Sequence, residues 1–137
     1  GSHKQWFKNG ALQVTCNYKS GTLNGEYNQW YANGQKEKSV NYVQGKKDGI
    51  YKEWYLNGKS RINCSYFLET LHGHYNSWYE NGQIELKCTY VNGNYDEKFQ
   101  KWHENGKKMI IRKFKNNSIK REKCWTEYGR KINCLRI

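Results

Sequence analysis

From residue 12 onward the chain alternates apolar and polar side chains with a period of two. Leu12, Val14, Cys16 and Tyr18 share one parity, as do Ile62, Cys64 and Tyr66, and again Ile84, Leu86, Cys88 and Tyr90. Gln, Thr, Asn, Glu and Lys fill most of the places between. Side chains on a strand point alternately to its two faces, so the pattern predicts strands with one dry and one wet face. A helix would need apolar residues three and four apart; these segments lack that spacing, and no helix is predicted.

Each alternating segment follows an Asn-Gly pair: Asn9-Gly10, Asn33-Gly34, Asn57-Gly58, Asn81-Gly82 and Asn105-Gly106. Both residues tolerate positive φ, which a two-residue type I′ loop requires at its two central positions, so the chain is predicted to reverse there. The pairs belong to a larger recurrence. Tryptophan stands at 6, 30, 54, 78 and 102, a step of 24, and Trp125 falls one residue short. Tyr18, Tyr42, Tyr66, Tyr90 and Phe114 keep the same step, as do Tyr27, Tyr51, Tyr75 and Phe99, and Gly25, Gly49 and Gly73. A period in this range marks an array whose units bury apolar surface against their neighbours.

One unit reads as a strand over 25–32, the turn Asn33-Gly34, a strand over 35–42 and a connection over 43–48. A two-residue turn pairs Tyr27 with Val40 and Tyr31 with Lys36, with the tyrosines on the apolar face and Trp30 on the other. A three-residue loop with a bulge would shift the register and exchange the two; the first arrangement is preferred. The predicted fold is all-β: an extended meander of consecutive hairpins, about six units, forming one twisted single-layer sheet. Cross-strand aromatic pairs contribute roughly 0.2 to 1 kcal/mol each.

Gly1-Ser2-His3 has the look of what tag cleavage leaves behind, so the repeat domain is read as 4–137, with units near 4–24, 25–48, 49–72, 73–96 and 97–120 and an atypical C-terminal cap over 121–137. No initiator Met precedes Lys4, which fits a cut from a longer chain. That reading favours export or the cell surface over the cytoplasm. A hydrophobic share of 36% beside an aromatic share of 16% suits a thin sheet rich in Tyr and Trp. No run is long enough to span a bilayer as a helix.

Of five cysteines, Cys16, Cys64 and Cys88 share one column and read as small apolar filler. Equivalent strands lie two spacings apart, about 9.5 Å, beyond the roughly 7 Å reach of a disulfide. A three-residue loop at Tyr128-Gly129-Arg130 would set Cys124 and Cys134 face to face, in reach of a terminal disulfide.

The net charge of +12 is uneven. Residues 1–97 hold 11 Lys/Arg and 9 Asp/Glu, whereas residues 98–137 hold 13 and 3. Lys107, Lys108, Arg112, Lys113, Lys115, Lys120, Arg121 and Lys123 are the candidate anion-binding residues, able to attract an acidic protein, anionic lipid or nucleic acid. Lysine also protects the ends of arrays and edge strands, which explains part of this excess without a ligand. The aromatics interleaved there are accounted for by the repeat columns, so nucleic acid is not the expected partner. His72-Gly73-His74 lacks further ligands for a metal. No Gly-rich phosphate loop precedes a helix and no nucleophile-base set appears, so neither a cofactor nor an enzyme is expected.

The segments Gly25-Glu-Tyr-Asn-Gln-Trp-Tyr-Ala-Asn-Gly-Gln-Lys36 and Gly73-His-Tyr-Asn-Ser-Trp-Tyr-Glu-Asn-Gly-Gln-Ile84 resemble the MORN repeat in its bacterial variant, G-x-Y-x-x-W-Y-x-N-G-Q, which also occurs in antitoxins of the YwqK type. The resemblance implies a sheet of hairpins that binds proteins, with membrane attachment and self-association among eukaryotic relatives. Antitoxin-type relatives would imply neutralising a toxin by contact. Unit five departs from the motif at Glu97 and Phe99, and the last unit at Arg121 and Tyr128-Gly129, marking a cap or a specialised contact end. The expected function is a non-enzymatic scaffold whose partner-binding candidates are Trp30, Trp54 and Trp78 or Tyr31, Tyr55 and Tyr79, whichever column is left uncovered.

Overall fold

The computed structural model describes residues 1–136; Ile137, the last residue of the sixth unit, lies outside the described residues. The strands are β1 (Ser2–Trp6), β2 (Leu12–Lys19), β3 (Thr22–Leu23), β4 (Gly25–Trp30), β5 (Lys36–Val43), β6 (Lys46–Trp54), β7 (Ser60–Phe67), β8 (Thr70–Trp78), β9 (Ile84–Val91), β10 (Asn94–Trp102), β11 (Lys108–Lys115), β12 (Ser118–Trp125) and β13 (Lys131–Ile132), followed by a 3-10 turn over Cys134–Arg136. They form one open antiparallel sheet in chain order, with β3 beside β2. The all-β meander expected from the sequence is the fold observed.

The turns are distributed otherwise than expected. Gly34 N–H donates to the Tyr31 carbonyl at 3.0 Å and Tyr31 N–H to the Gln35 carbonyl at 2.8 Å, so the loop is the three residues Ala32-Asn33-Gly34. Only Gly34 is left-handed, with φ 89°. The two-residue type I′ turn expected at Asn-Gly is therefore corrected to a type I turn closed by a left-handed glycine. Trp30 pairs with Lys36 in place of Tyr31, yet Tyr27 still pairs with Val40, because one bulged residue between Lys36 and Lys38 restores the register.

True two-residue turns lie at the other end of the strands, where a connection over 43–48 was expected. Gln44 and Gly45 have φ of 50° and 78°, and Asn92 and Gly93 have 50° and 82°, the type I′ signature. Leu68 and Glu69 adopt it too, at 45° and 75°, a conformation that costs a side-chain-bearing residue about 1–2 kcal/mol. Glu69 is held there by its neighbours: its N–H donates to the Lys47 carbonyl at 2.7 Å and its carboxylate accepts from Lys47 N–H at 2.7 Å.

A second irregularity explains the short last repeat. Between the pairs Cys64/Tyr75 and Tyr66/Leu71, β8 carries two more residues than β7, and Gly73 sits in this stretch with φ 101°. Between Lys113/Arg121 and Phe114/Ile119, β12 carries only one more than β11. Trp125 arrives one residue early because its bulge is smaller. Arg121 replaces glycine there without needing a left-handed backbone.

One face of the sheet holds the core. Tyr27, Val40, Tyr51, Cys64, Tyr75, Cys88 and Phe99 follow one another across the strands, tall rings alternating with short side chains. The rings lean over their small neighbours, so Val40, Cys64 and Cys124 are 2%, 1% and 0% exposed although the sheet has one layer. Tyr27–Tyr42, Tyr51–Tyr66 and Tyr75–Tyr90 meet edge to face at 5.7–5.9 Å. Residues 1–3, read above as a remnant, occupy the places of 25–27: His3 pairs with Cys16 and meets Tyr18 edge-on at 6.1 Å, as Tyr27 meets Tyr42. They are part of the first hairpin.

Candidate functional site

The two aromatic columns proposed for binding have different employments. Tyr31 OH donates to the Trp54 carbonyl at 2.7 Å, Tyr55 OH to Trp78 at 2.6 Å and Tyr79 OH to Trp102 at 2.6 Å. His103 takes the same place in unit five, its Nε2 2.8 Å from the Trp125 carbonyl. These side chains bolt each unit to the next. Burial raises the phenol pKa of Tyr31, Tyr55 and Tyr79, so each stays a donor at neutral pH.

The tryptophans lie on the opposite face, as the preferred register required. Each is paired at the strand end, Trp30 with Lys36, Trp54 with Ser60 and Trp78 with Ile84. They are half-buried, and Lys36 Nζ lies 5.6 Å from the Trp30 ring centre. Beside this row runs one that is polar except at Ile111: Thr15, Asn28, Ser39, Lys52, Asn63, Asn76, Lys87, Gln100, Ile111 and Lys123 follow one another across ten strands. The tyrosine face buries its own ladder; the tryptophan face offers rings, amides and lysines to a partner.

The basic candidates divide between the faces. Arg112 stands on the tyrosine face, where its Nε is 2.9 Å from Glu122 and its guanidinium lies 5.8 Å from the Phe99 ring centre; it is structural. Lys108 pairs with Trp102, while Lys113 and Arg121 are paired with each other on the tryptophan face, next to Lys123. Lys107 N–H is tied to Asn105 Oδ1 at 3.0 Å in the turn. Lys115 and Lys120 line a depression of about 600 Å³ with Lys98, Lys113, Tyr95 and Phe114. The sequence reading missed Lys98 and Tyr95. The signal for Lys98 was its parity with Trp102; Tyr95, stacked on Tyr90 at 5.0 Å and Phe114 at 4.9 Å, has Leu71 and Lys47 in its column and left none.

The histidines that could carry chemistry have structural partners. His72 Nδ1 accepts from Asn92 N–H at 3.1 Å, and His74 Nε2 lies 2.9 Å from Asn63 Oδ1. Among the described residues no three His, Cys, Asp or Glu side chains converge as a metal site. Burial pushes the Cys64 thiol up to about 12 and that of Cys88 up to about 11, which leaves both protonated and weakly nucleophilic near neutral pH. Cys124 and Cys134 are joined by a disulfide, Cα atoms 5.2 Å apart. The loop before it is Glu127-Tyr128-Gly129, one residue earlier than expected, and Cys134 reaches Cys124 from the 3-10 turn.

Four successive segments, residues 1–20, 23–44, 47–67 and 71–92, match the family model described as MORN repeat variant. No curated protein matches the chain. The matched segments end where the departures begin, ahead of Glu97, the smaller bulge of β12 and the paired cations.

Proposed function

Because the chain belongs to the MORN repeat variant family, whose repeats are typically binding modules and not enzymes, we propose that it is a scaffold that docks a partner protein on its tryptophan face. The observation that carries this reading is the division of labour between the faces. Tyr31, Tyr55 and Tyr79 are consumed in joining units, whereas Trp30, Trp54 and Trp78 stand beside a row that is polar from Thr15 to Gln100. Large half-buried rings flanked by amides make efficient contact anchors. Neutralising a toxin by direct contact, as an antitoxin or immunity factor does, is the narrower form of the proposal.

The test is a partner isolated from native extract and reconstituted from pure components. Trp54→Ala with Trp78→Ala should weaken that complex by about 2 kcal/mol or more while the circular dichroism of the sheet is retained. Binding untouched by the double tryptophan variant defeats the proposal. A toxin rescued by the parent chain and not by the double variant would establish the narrower form.

A second reading, attachment to an anionic membrane, rests on the type I′ turn edge, where Phe67, Leu68, Val91 and Ile119 are exposed along the same edge as Lys115 and Lys120. It expects co-sedimentation with phosphatidylserine vesicles that fades with salt. No sedimentation at low salt removes it.

A further inference from the structure

Lys98 of β10 is directly opposite Lys113 of β11, and Lys113 is directly opposite Arg121 of β12. Neighbouring strands are about 4.8 Å apart, and like charges placed opposite each other destabilise a sheet. Among the described residues the ion pairs are Lys47–Glu69, Arg61–Glu53 and Arg112–Glu122, and none relieves this run. Asp96 and Glu97 line the same depression without coming within ion-pair distance of it. The fold does not demand cations here. The corresponding pairs in earlier units are Glu26/Asn41, Ile50/Ser65 and His74/Thr89.

Two depressions flank the run and share Lys98. One is the 600 Å³ depression lined by Lys98, Lys113, Lys115 and Lys120, with Tyr95 and Phe114, whose rings stack on the tyrosine face, at its margin; the other, about 350 Å³, is lined by His74, Asn76, Lys87, Thr89 and Gln100. Asn76 Oδ1 in the second is buried and has no hydrogen-bond partner. Asn28, in the same column, has an unpaired oxygen as well but no cation run beside it. A ligand that satisfies this surface supplies negative charge to the cations, and the protein partner of the scaffold reading carries that charge as Asp and Glu carboxylates.

Resting on the scaffold reading above, we propose that the Lys98–Lys113–Arg121 run and its flanking depressions form the recognition site for an acidic segment of the partner protein, lying across β8–β12. The stability lost to the opposed cations is recovered when carboxylates neutralise them.

The experiment uses the full chain and fluorescein-labelled polyglutamate, with a single-stranded oligonucleotide and phosphatidylserine vesicles as competing probes. The parent should bind polyglutamate in preference to both. The variant Lys98→Gln/Lys113→Gln/Arg121→Gln should bind it on the order of tenfold more weakly. A charge-matched control, Lys8→Gln/Lys19→Gln/Lys46→Gln, at exposed lysines outside the tryptophan-face row, should bind like the parent. The triple variant should also melt at a higher temperature than the parent, since the opposition is gone. Equal binding by the triple variant, an equal loss in the control, preference for the oligonucleotide or vesicles, or an unchanged melting temperature overturns the site. Any of those results leaves the tryptophan test of the scaffold standing, and failure of the tryptophan test leaves this site measurable alone.

Discussion

Asparagine stands at the third place after five of the six tryptophans, and its two hydrogen bonds explain why. Asn57 Oδ1 accepts from Lys59 N–H at 2.9 Å and shapes its own loop, while Nδ2 donates to the Glu80 carbonyl at 3.2 Å in the next unit. The same pair recurs at Asn81, with 2.9 Å for each bond. One side chain thus sets a turn and spaces two units, a double task that neither Asp nor Ser can perform because neither has an acceptor and an N–H₂ donor together. Asn57→Ala should therefore lower stability by about 1–2 kcal/mol in urea denaturation, and Asn57→Asp, which keeps the acceptor, by less. Equal losses for the two variants would show that the loop bond to Lys59 contributes nothing, and no loss in Asn57→Asp would show the same of the inter-unit bond. The strictness of this column was legible in the sequence, but its reason was misread: positive φ is needed at the glycine alone.

Strands inherit their stability from the alternation of tall and short side chains on one face, and that ladder has a pH signature. Burial pushes the Cys64 thiol and the Tyr66 phenol up to about 12, from ordinary values of 9.0 and 10.0, and raises Tyr27, Tyr42, Tyr51, Tyr75 and Tyr90 as well. Between those values the unfolded chain releases protons that the folded chain keeps, so the folded state is disfavoured as pH rises. The contribution is complete below about pH 9 and declines above it. Urea midpoints should be level from neutral pH to about pH 9 and then fall; a level or rising midpoint up to about pH 11 contradicts the buried ladder. Which residues alternate was readable from parity. That Tyr51 and Tyr75 shield the Cys64 thiol between them depended on register, and register depended on bulges at positions 37 and 73, of which only the second is marked in the sequence, by the Gly25, Gly49 and Gly73 column.

For the whole molecule, the ends differ. β1 presents a five-residue edge, whereas β13 is two residues long and the chain beyond it is pinned to β12 by the Cys124–Cys134 disulfide. Closing a loop with a sequence separation of 10 removes about 2–3 kcal/mol of chain entropy from the unfolded end. In an array where each unit touches its neighbours, the effect should stay local. Cys134→Ser is expected to expose the amides of β12 and β13 to hydrogen exchange while β4–β8 keep their protection. Loss of protection along the entire sheet would mean that the array folds as one cooperative block.

By itself the sequence determined that the protein is a serial sheet, because period two and period 24 are local properties that survive in any context. It also determined which face is apolar, since parity along a strand leaves no other choice. Only the tertiary structure decided where the charges meet. Lys98, Lys113 and Arg121 stand 15 and 8 residues apart in the chain, and a bulge of one residue in β12 brings the third cation level with the other two. Small changes in bulge length move every cross-strand neighbour, so a surface built across strands is set by register and not by residue order.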